Sequence, residues 1–326
     1  MKCIYCVLFS LFVLFISCNK NDDNNDNPPL ATREWFKLKT LLYTSQYSSN
    51  GSYYYRDSTE IVIDSANNKI FFREIEGTSS GMDTSLETFT YNSKNQLVLY
   101  EKVDTYDYLY ISRMEFVRDA SGQVTKVLSG YGHGLKPSSE GLVNYDKRGD
   151  TTFITYIDSA RKHPQGYSDA QDFYQVGLVS DKVVYYKSYS MSTPGKLDST
   201  LYKYEYDAAG NVTTESSQYR TNPPVVYTYQ RGSETPKELQ KFLSQWAGDL
   251  LWFRRSKLFS FSGHLATVNT VAGNVLVSKK QGSTITASYT NAFDANGNLG
   301  SVTWQSTSGG SVPTNYINTE KYLYRP

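Results

Sequence analysis

A short phrase recurs along the chain about every 28 residues, and this repeat restricts the possible folds more than any other feature. Its clearest copy is YEYDAAGNVT at 204–213, and a second good copy is AFDANGNL at 292–299. In the remaining, weaker copies the anchoring Asp, Asn or Gly residues stand at positions 64, 92, 119, 146 and 177. Together with position 207, these anchors are 28, 27, 27, 31 and 30 residues apart. Such regular spacing indicates one structural unit repeated along the chain.

Each copy predicts a β-hairpin. An alternating apolar and polar strand ends at the anchor residue, and an Asp or Asn there can close an Asx-turn with its side chain. Gly210 and its equivalents then supply the left-handed backbone that a tight turn needs. Six such units make a meander of about 12 strands or more, a size at which open sheets tend to curl. We therefore predict an all-β fold: a curved antiparallel β-meander of repeated hairpins, as an open or half-barrel-like sheet.

The aromatic content supports this fold class. Tyrosine accounts for 29 of the 326 residues, beside 15 Phe and 4 Trp. Tyr, Val and Thr favour the pleated, half-buried surface of a strand. Strand patterning also covers 265–277, 283–293 and 299–305, and residues 321–324 are a candidate closing strand.

One segment interrupts the strand pattern. The sequence TPKE at 235–238 has capping-box spacing with Pro236 at the first helical position. Apolar residues then recur at helical spacing: Leu239, Phe242, Leu243, Trp246 and Leu250. We predict a helix at 236–253 whose apolar stripe packs as core on the concave face of the sheet. Contact with a membrane and a role as a lid over a ligand are the alternatives.

The phrase Tyr-x-Tyr-Asp-x-x-Gly-Asn-Val at 204–212 resembles the YD repeat of Rhs-type proteins, and more closely the shorter YD-like domains of outer-membrane lipoproteins. The resemblance extends over most of 60–306, although only 204–213 and 292–299 match well. In Rhs proteins many copies form a shell around a toxin. This chain has too few copies for a shell, so that function is not expected here. The Asp and Gly residues of the phrase are expected to form turns rather than to bind a ligand.

The first 29 residues predict a targeting signal followed by a tether. Residues 1–17 combine an early positive charge with about 13 apolar-dominated residues, which is typical of a secretory signal. The tetrapeptide FISC at 15–18 resembles a lipobox, and Cys18 is then the lipid-bearing first residue of the mature chain. The other two cysteines, Cys3 and Cys6, leave with the signal, so no disulfide partner remains.

Residues 18–29 are polar and acidic, and they predict a flexible tether to a single β-rich domain at 30–326. The tract resembles the acidic segment that follows the cysteine in surface-exported lipoproteins of some Gram-negative bacteria. It can equally be a spacer. The expected location is the outer membrane, with a lipid anchor and exposure at the cell surface.

The residues do not favour an enzyme. The three histidines, His133, His163 and His264, share no metal-ligand spacing, so we expect no metal site and no cofactor. The string GTSSG at 77–81 lies between two β patterns, whereas a nucleophile elbow needs a strand-to-helix turn. A catalytic carboxylate pair formed in space stays open, and no catalytic residue is named. Once Lys2 is removed, 32 basic residues balance 32 acidic ones, which argues against nucleic acid as a partner.

Two functions fit these features. The first is a non-catalytic binding or interaction module for a polysaccharide or protein ligand. Tyr106, Tyr108 and Tyr110 alternate along one strand and therefore share a face, so they are a candidate ligand platform; packing in the core is the competing interpretation. The second function is a periplasm-facing envelope carrier or chaperone whose sheet and helix enclose an apolar ligand.

Overall fold

The computed structural model describes residues 34–47, 53–78, 81–104, 110–131, 139–159, 173–180, 182–193, 196–247, 250, 273–308 and 314–326. These residues form long strands and one helix. In chain order the elements are β1 Leu38–Tyr47, β2 Tyr53–Asp64, β3 Lys69–Thr78, β4 Gly81–Tyr91, β5 Leu97–Asp104, β6 Tyr110–Arg118, β7 Val124–Tyr131, β8 Ser139–Arg148, β9 Thr151–Ser159, β10 Phe173–Val179, β11 Lys182–Thr193, β12 Lys196–Tyr206, β13 Val212–Tyr219, β14 Val225–Arg231, α1 Lys237–Ala247, β15 Leu276–Gln281, β16 Thr284–Phe293, β17 Leu299–Ser308 and β18 Thr314–Tyr324.

The strands form a closed, 18-stranded antiparallel barrel. Each strand pairs with the next one along the chain, and β1 pairs with both β2 and β18. The all-β prediction is confirmed, but the expected open or half-barrel-like sheet is wrong. The β1–β18 ladder runs from Leu38 opposite Tyr324 to Tyr47 opposite Tyr316, so it satisfies the backbone groups that an open sheet would leave at its edges. The suggested closing strand at 321–324 is the end of β18.

The barrel has two different ends. At the turn end, the hairpins from β2–β3 to β12–β13 and the β16–β17 hairpin connect through short turns. The β14–β15 connection, which carries α1, lies at the same end, as do residues 34–37 and 325–326. At the loop end, the odd strands from β1 to β17 connect to the strands that follow them. All the anchor positions of the sequence repeat therefore lie at or near one end of the barrel.

Most anchors form the predicted turns. The Asp207 carboxylate accepts from the backbone N–H of Asn211 at 2.8 Å, and Asp294 accepts in the same way from Asn298. Asp64, Asn92 and Asp119 also accept from backbone N–H groups of their own turns.

Two anchors differ from the others. Asp146 instead accepts from the Nε of Arg148, because β8 continues to Arg148 before it turns at 149–150. Gly177 lies inside β10, and that hairpin turns beyond Val179.

The helix α1 packs inside the barrel, as the sequence predicts. Its apolar residues Leu239, Phe242 and Trp246 are at most 1% exposed. The Trp246 ring lies 5.4 Å from that of Phe72 on β3 and 5.6 Å from that of Phe89 on β4. The Tyr91 hydroxyl donates to the backbone carbonyl of Trp246 at 2.6 Å. The stripe is core, and the last predicted helical residues, 251–253, lie outside the described residues.

The predicted capping box is wrong in its detail. The hydroxyl of Thr235 donates to the side chain of Asn274 at 2.9 Å, and the helix begins at Lys237. The Glu238 carboxylate accepts instead from the backbone N–H of Lys37 at 2.8 Å. The side chains of Thr235 and Glu238 therefore connect the start of the helix to Asn274 and Lys37, rather than cap its first turn.

Residues 34–37 form a strap across the helix. The backbone N–H of Phe36 donates to Gln245, and the side chain of Gln245 donates to the carbonyl of Glu34. The ammonium of Lys241 forms an ion pair with Glu34 at 2.7 Å. The Phe36 ring contacts Phe242 at 4.8 Å between centroids. The chain entering β1 is thus tied to the helix that fills this side of the lumen.

Charged side chains lie on the outer wall at mid-strand positions. Because side chains alternate between faces, the neighbours of buried inward residues point outward. Arg73 on β3 pairs with Glu60 on β2 at 3.1 Å, and Arg113 on β6 lies 2.7 Å from Glu115. Single exposed apolar residues, such as Leu142 and Leu323, lie among them. Within the described segments, no helix has the length and apolar character needed to cross a membrane.

Candidate functional site

Few of the sequence-predicted site residues lie within the described residues. Cys18, Tyr106 and Tyr108 are outside them. Tyr110 is the first residue of β6, where it pairs with Asp104 of β5. The tyrosine platform and the lipid site therefore stay predictions.

A cleft of about 520 Å³ opens at the turn end, and we call it the turn-end cleft. Its rim comes from the β4–β5, β6–β7 and β8–β9 turns and from the residue after β10, and its floor from inward residues of β8, β9 and β10. The lining residues are Gln96, Ser121, Gly122, Gln123, Tyr145, Lys147, Asp150, Thr152, Ile154, Leu178 and Ser180. The volume is within the usual range for a small-molecule site.

The repeat phrase builds the rim. Asn92 accepts from the backbone N–H of Gln96 at 3.0 Å, and Asp119 accepts from that of Gln123 at the same distance. Each turn thus fixes a glutamine directly before the next strand. The Ser121 hydroxyl, which donates to the Asp119 carboxylate, holds the pKa of that carboxyl below its ordinary value, helped by the Gln123 N–H. The Asp119 carboxylate is committed to its own turn.

Gly122 joins two of these turns. Its φ of 89° lies in the left-handed region that favours glycine. A Cβ at this position would lie 2.6 Å from the Nε2 of Gln96, which donates to the Gly122 carbonyl at 3.4 Å. The left-handed backbone therefore favours glycine here, and any larger residue would also displace the Gln96 amide.

A ladder of inward tyrosines crosses four strands beside the floor of the cleft. Tyr156 stacks on Tyr174 at 4.6 Å between centroids, Tyr174 lies 6.3 Å from Tyr186, and Tyr186 lies 6.0 Å from Tyr202. The Tyr156 ring covers Gly141, where an added Cβ would lie 2.3 Å from the ring. The first three tyrosines are at most 7% exposed, so the ladder is a rigid wall rather than an open platform.

Several carboxylates face the lumen, and whether any two form a catalytic pair stays an open question. Glu87 lies 3.4 Å from the ammonium of Lys102, which also lies 3.9 Å from Glu74. Asp57 and Glu320 lie on either side of Tyr43 in the β2–β1–β18 register, and both are buried. Among the described residues, no group of three or more His, Cys, Asp or Glu side chains is arranged to hold a metal ion.

Glu320 has the most perturbed environment of these acids. It is fully buried on β18 and accepts a hydrogen bond from the Tyr322 hydroxyl. Its other carboxyl oxygen has no hydrogen-bond partner among the described residues. Burial raises the pKa of Glu320 to about 7, although the bond from Tyr322 opposes the shift.

The lumen is packed on one side and accessible to water on the other. Inward residues of β2, β3 and β4, such as Ile61, Phe72 and Phe89, are at most 1% exposed beneath the helix. Inward residues of β13–β16, such as Glu215, Tyr229 and Tyr289, stay partly exposed. The helix therefore fills only one side of the barrel.

The chemistry of the turn-end cleft suits a small polar ligand. Amide and hydroxyl groups on the rim can donate and accept hydrogen bonds, and Lys147 and Asp150 add one charge of each sign. The floor formed by Tyr145, Ile154 and Leu178 offers apolar contact. Convergent polar groups above an apolar floor are typical of a binding site.

Comparisons with other proteins assign no family. No protein-family model matches the sequence, and no curated protein matches it. Of the solved structures that match, one is described as a porin-like protein from Bacteroides uniformis ATCC 8492. The two share 11% sequence identity at a TM-score of 0.40, and the alignment covers 88% of this chain and 98% of that chain.

The spacing of the repeat marks two residues of the cleft in the sequence. Gln96 and Gln123 both stand four residues after a repeat anchor, at 92 and 119, and are 27 residues apart. Neighbouring repeats place equivalent positions side by side in a sheet, so the two amides line one rim. Lys147, Asp150 and Ser180 also line the cleft, but they lie in or beside turns that do not follow the repeat phrase, so the repeat spacing does not mark them.

Proposed function

We propose that this protein is a lipid-anchored, non-catalytic binding module of the outer membrane, with a barrel that lies in water and a turn-end cleft that takes a sugar unit of a glycan. The turn-end cleft is the observation that carries the proposal. Sugars present hydroxyl groups at their edges and C–H groups on their faces. The Gln96 and Gln123 amides on the rim suit the hydroxyls, and the Tyr145 ring on the floor suits a C–H face.

The outer wall supports a barrel that lies in water. A membrane-spanning barrel has an outward apolar band about 25 Å tall, and Arg or Lys at mid-depth costs about 2–4 kcal/mol. Here Arg73, Arg113 and Lys126 lie on the outer wall, each in an ion pair with a glutamate. Most of the large apolar residues instead face inward, and those of β2–β4 pack beneath the helix, whereas Leu142, Leu323 and a few others are exposed. This distribution favours a soluble barrel held at the membrane by its tether.

The position of the strap decides at which end of the barrel the proposed tether would attach. The chain reaches β1 at the turn end, so the tether leaves the barrel from that end. Residues 18–33 can span at most about 50–60 Å when fully extended. The lipid on Cys18 would thus keep the turn end, where the cleft also opens, within the reach of this tether from the membrane. Protease treatment of intact cells tests the surface location, with a periplasmic protein as the control for leakage.

Glycan binding can be tested with the full-length protein purified in mild detergent. We expect an oligosaccharide identified on a glycan array to bind in solution by calorimetry, and Gln123→Ala to weaken that binding about tenfold, as expected for the loss of a good hydrogen bond. The matched control is Asn298→Ala, which changes the equivalent turn position of the β16–β17 hairpin, away from the cleft. Equal binding by the wild type and Gln123→Ala would place the ligand elsewhere.

Two other outcomes would replace the proposal. Lipid that co-purifies with the protein and stays after the detergent is exchanged would favour the carrier function. Ion conductance across planar bilayers that contain the purified protein would show that the barrel spans the membrane. Neither result is expected, because the apolar side of the lumen is filled by α1 and the outer wall is charged.

A further inference from the structure

The floor of the turn-end cleft is built from two rows of residues that cross β8, β9 and β10. In the first row Lys147 lies opposite Thr152, and Thr152 lies opposite Leu178. In the second row, two residues further from the turn end, Tyr145 lies opposite Ile154. All five residues line the cleft. Each row therefore changes from a side chain with a polar tip on β8 to an aliphatic side chain on β9 or β10.

The rows are accessible because the β7–β8 ladder stops early. Its last pair toward the turn end is Lys126 opposite Leu142, whereas β8 continues beside β9 to Arg148. The β8–β9 hairpin therefore extends further toward the turn end than β7 does, and one face of this extension forms a wall of the cleft.

The aliphatic end of the two rows is a small apolar patch. Ile154 lies opposite Val176 in the β9–β10 ladder, so Leu178 is its diagonal neighbour on the same face. Ile154 is 3% exposed, and Leu178 is partly buried against the core. Both side chains are branched, unlike the flat ring of Tyr145. The patch suits a methyl group, whereas a hydroxyl placed against it would lose hydrogen bonds to water.

Two polar groups stand beside this patch with capacity to spare. Within the part of the chain that the structure describes, the Lys147 ammonium and the Thr152 hydroxyl form no hydrogen bond or ion pair. An ammonium can donate three hydrogen bonds, and a hydroxyl can both donate and accept. An amide bound here can therefore accept at its carbonyl oxygen from Lys147 and donate from its N–H to Thr152.

The charges of the lining favour a neutral ligand group. Lys147 contributes one positive charge and Asp150 one negative charge, and the other lining residues are uncharged. A carboxylate near Lys147 would also be repelled by Asp150, and an ammonium near Asp150 would be repelled by Lys147. A neutral polar group avoids both repulsions.

We propose that the Leu178 side of the turn-end cleft is a subsite for the acetamido group of an N-acetylated amino sugar, so that the glycan contains N-acetylhexosamine units. This inference rests on the proposed glycan-binding function and deepens it. An acetamido group is neutral and combines a methyl group, an N–H donor and a carbonyl acceptor. The methyl group matches Leu178 and Ile154, and the amide matches Lys147 and Thr152. The Tyr145 ring stays available for the C–H face of the sugar.

Two sugars that share one backbone test this subsite. Chitotetraose and cellotetraose are both β-1,4-linked tetramers, and they differ only at C2, where the first has an acetamido group and the second a hydroxyl. We expect calorimetry to show that the full-length wild-type protein, in mild detergent, binds chitotetraose about tenfold or more tightly. One buried methyl group and one net hydrogen bond account for a preference of this size.

Two substitutions probe the two halves of the subsite. Leu178→Asn keeps roughly the size of the side chain but removes the apolar patch, so it should bring the two affinities to within about threefold of each other. Leu142→Asn is the matched control, because Leu142 lies on the outer face of β8 and is 47% exposed; it should keep the full preference. Thr152→Val removes only the hydroxyl and should lower the preference about threefold or more.

A measurement on the wild type alone tests the same contact without relying on the folding of a variant. Saturation-transfer NMR should show the strongest transfer from the protein to chitotetraose at the acetyl methyl protons, because these protons contact Leu178 and Ile154. Weaker transfer to the methyl than to the ring protons would contradict the subsite. Thermal unfolding of Leu178→Asn near the wild-type temperature shows that its lost preference is not misfolding.

The outcomes separate the inference from the function on which it rests. Cellotetraose binding as tight as that of chitotetraose, or a preference that survives Leu178→Asn in the folded protein, overturns the acetamido subsite and leaves glycan binding intact. A glycan array whose ligands all lack acetamido groups leads to the same conclusion. An array that yields no oligosaccharide ligand overturns both the subsite and the proposed function.

Discussion

At the scale of single residues, two features stand out in this barrel. Some turn positions require a particular residue type, and some buried acids lower the stability of the fold when they ionise. The left-handed backbone at Gly122 favours glycine, and an added Cβ there would also displace the Gln96 amide. Glu320 is needed in its neutral form, because no described group offers its second oxygen a hydrogen bond. Both cases lead to substitutions with a defined control.

Replacing Gly122 by Ala should destabilise the barrel more than the same change at Gly297. Both glycines close an Asp-x-x-Gly turn with positive φ, at 89° and 76°, and both variants lose about 1–2 kcal/mol to backbone strain. An added Cβ at Gly297 meets nothing within 4 Å, whereas at Gly122 it displaces the Gln96 amide. Chemical unfolding of the two variants measures the difference. Equal losses of unfolding free energy in the two variants would mean that displacing the Gln96 side chain does not affect stability.

The stability contributed by Glu320 should fall as the pH rises. Its pKa is raised from 4.5 to about 7 in the folded state, so the folded protein holds a proton that the unfolded chain has lost. The contribution is full below pH 4.5 and decreases by about 3 kcal/mol as the pH rises through 7. Glu320→Gln should therefore gain stability relative to the wild type between pH 5 and pH 8 in urea unfolding. Glu140→Gln, the same substitution at an exposed position of the outer wall, is the matched control to be measured at each pH.

At the scale of elements, the turns could be predicted from sequence and the packing between them could not. Asp207 and Gly210 form their turn through bonds that span only four residues, so the local sequence contains the whole signal. The same holds for the apolar stripe of the helix. The rim of the turn-end cleft draws on residues from Gln96 to Ser180, which only the register of six neighbouring strands brings together. No local pattern encodes that register.

The helix should contribute stability through its buried face alone. Trp246 is 1% exposed and contacts Phe72, Phe89 and Phe242, so Trp246→Ala should cost about 3–5 kcal/mol. Lys241→Ala removes the ion pair with the exposed Glu34, which solvent screens, and should cost far less. Urea unfolding followed by tryptophan fluorescence for Lys241→Ala, and by circular dichroism for both, measures the two losses. Similar losses would mean that the strap, rather than the core, holds the helix.

At the scale of the whole molecule, closure is the property that the sequence left undecided. Pairing between β1 and β18 joins residues that are 286 positions apart in the case of Leu38 and Tyr324, and nothing in either strand marks the other as its partner. The repeat fixes how each hairpin turns, whereas the number of strands and their twist decide whether the last one meets the first. Among the described strands, closure also leaves no edge strand, which protects the barrel from edge-to-edge association.

Hydrogen exchange at the seam should show that β1 and β18 are interior strands. In an antiparallel strand the backbone N–H groups point alternately to the two neighbours, so an edge strand leaves every second amide open to water. In the closed barrel, residues Leu41 to Gln46 and Ile317 to Lys321 are paired in register with both neighbouring strands, with one irregularity between Ser45 and Gln46. We expect uninterrupted protection along both segments, close to that of β3 and β12, with rapid exchange at the exposed Gly282 turn as the internal reference. Alternating fast and slow amides along β1 or β18 would instead mean that the seam is open in solution.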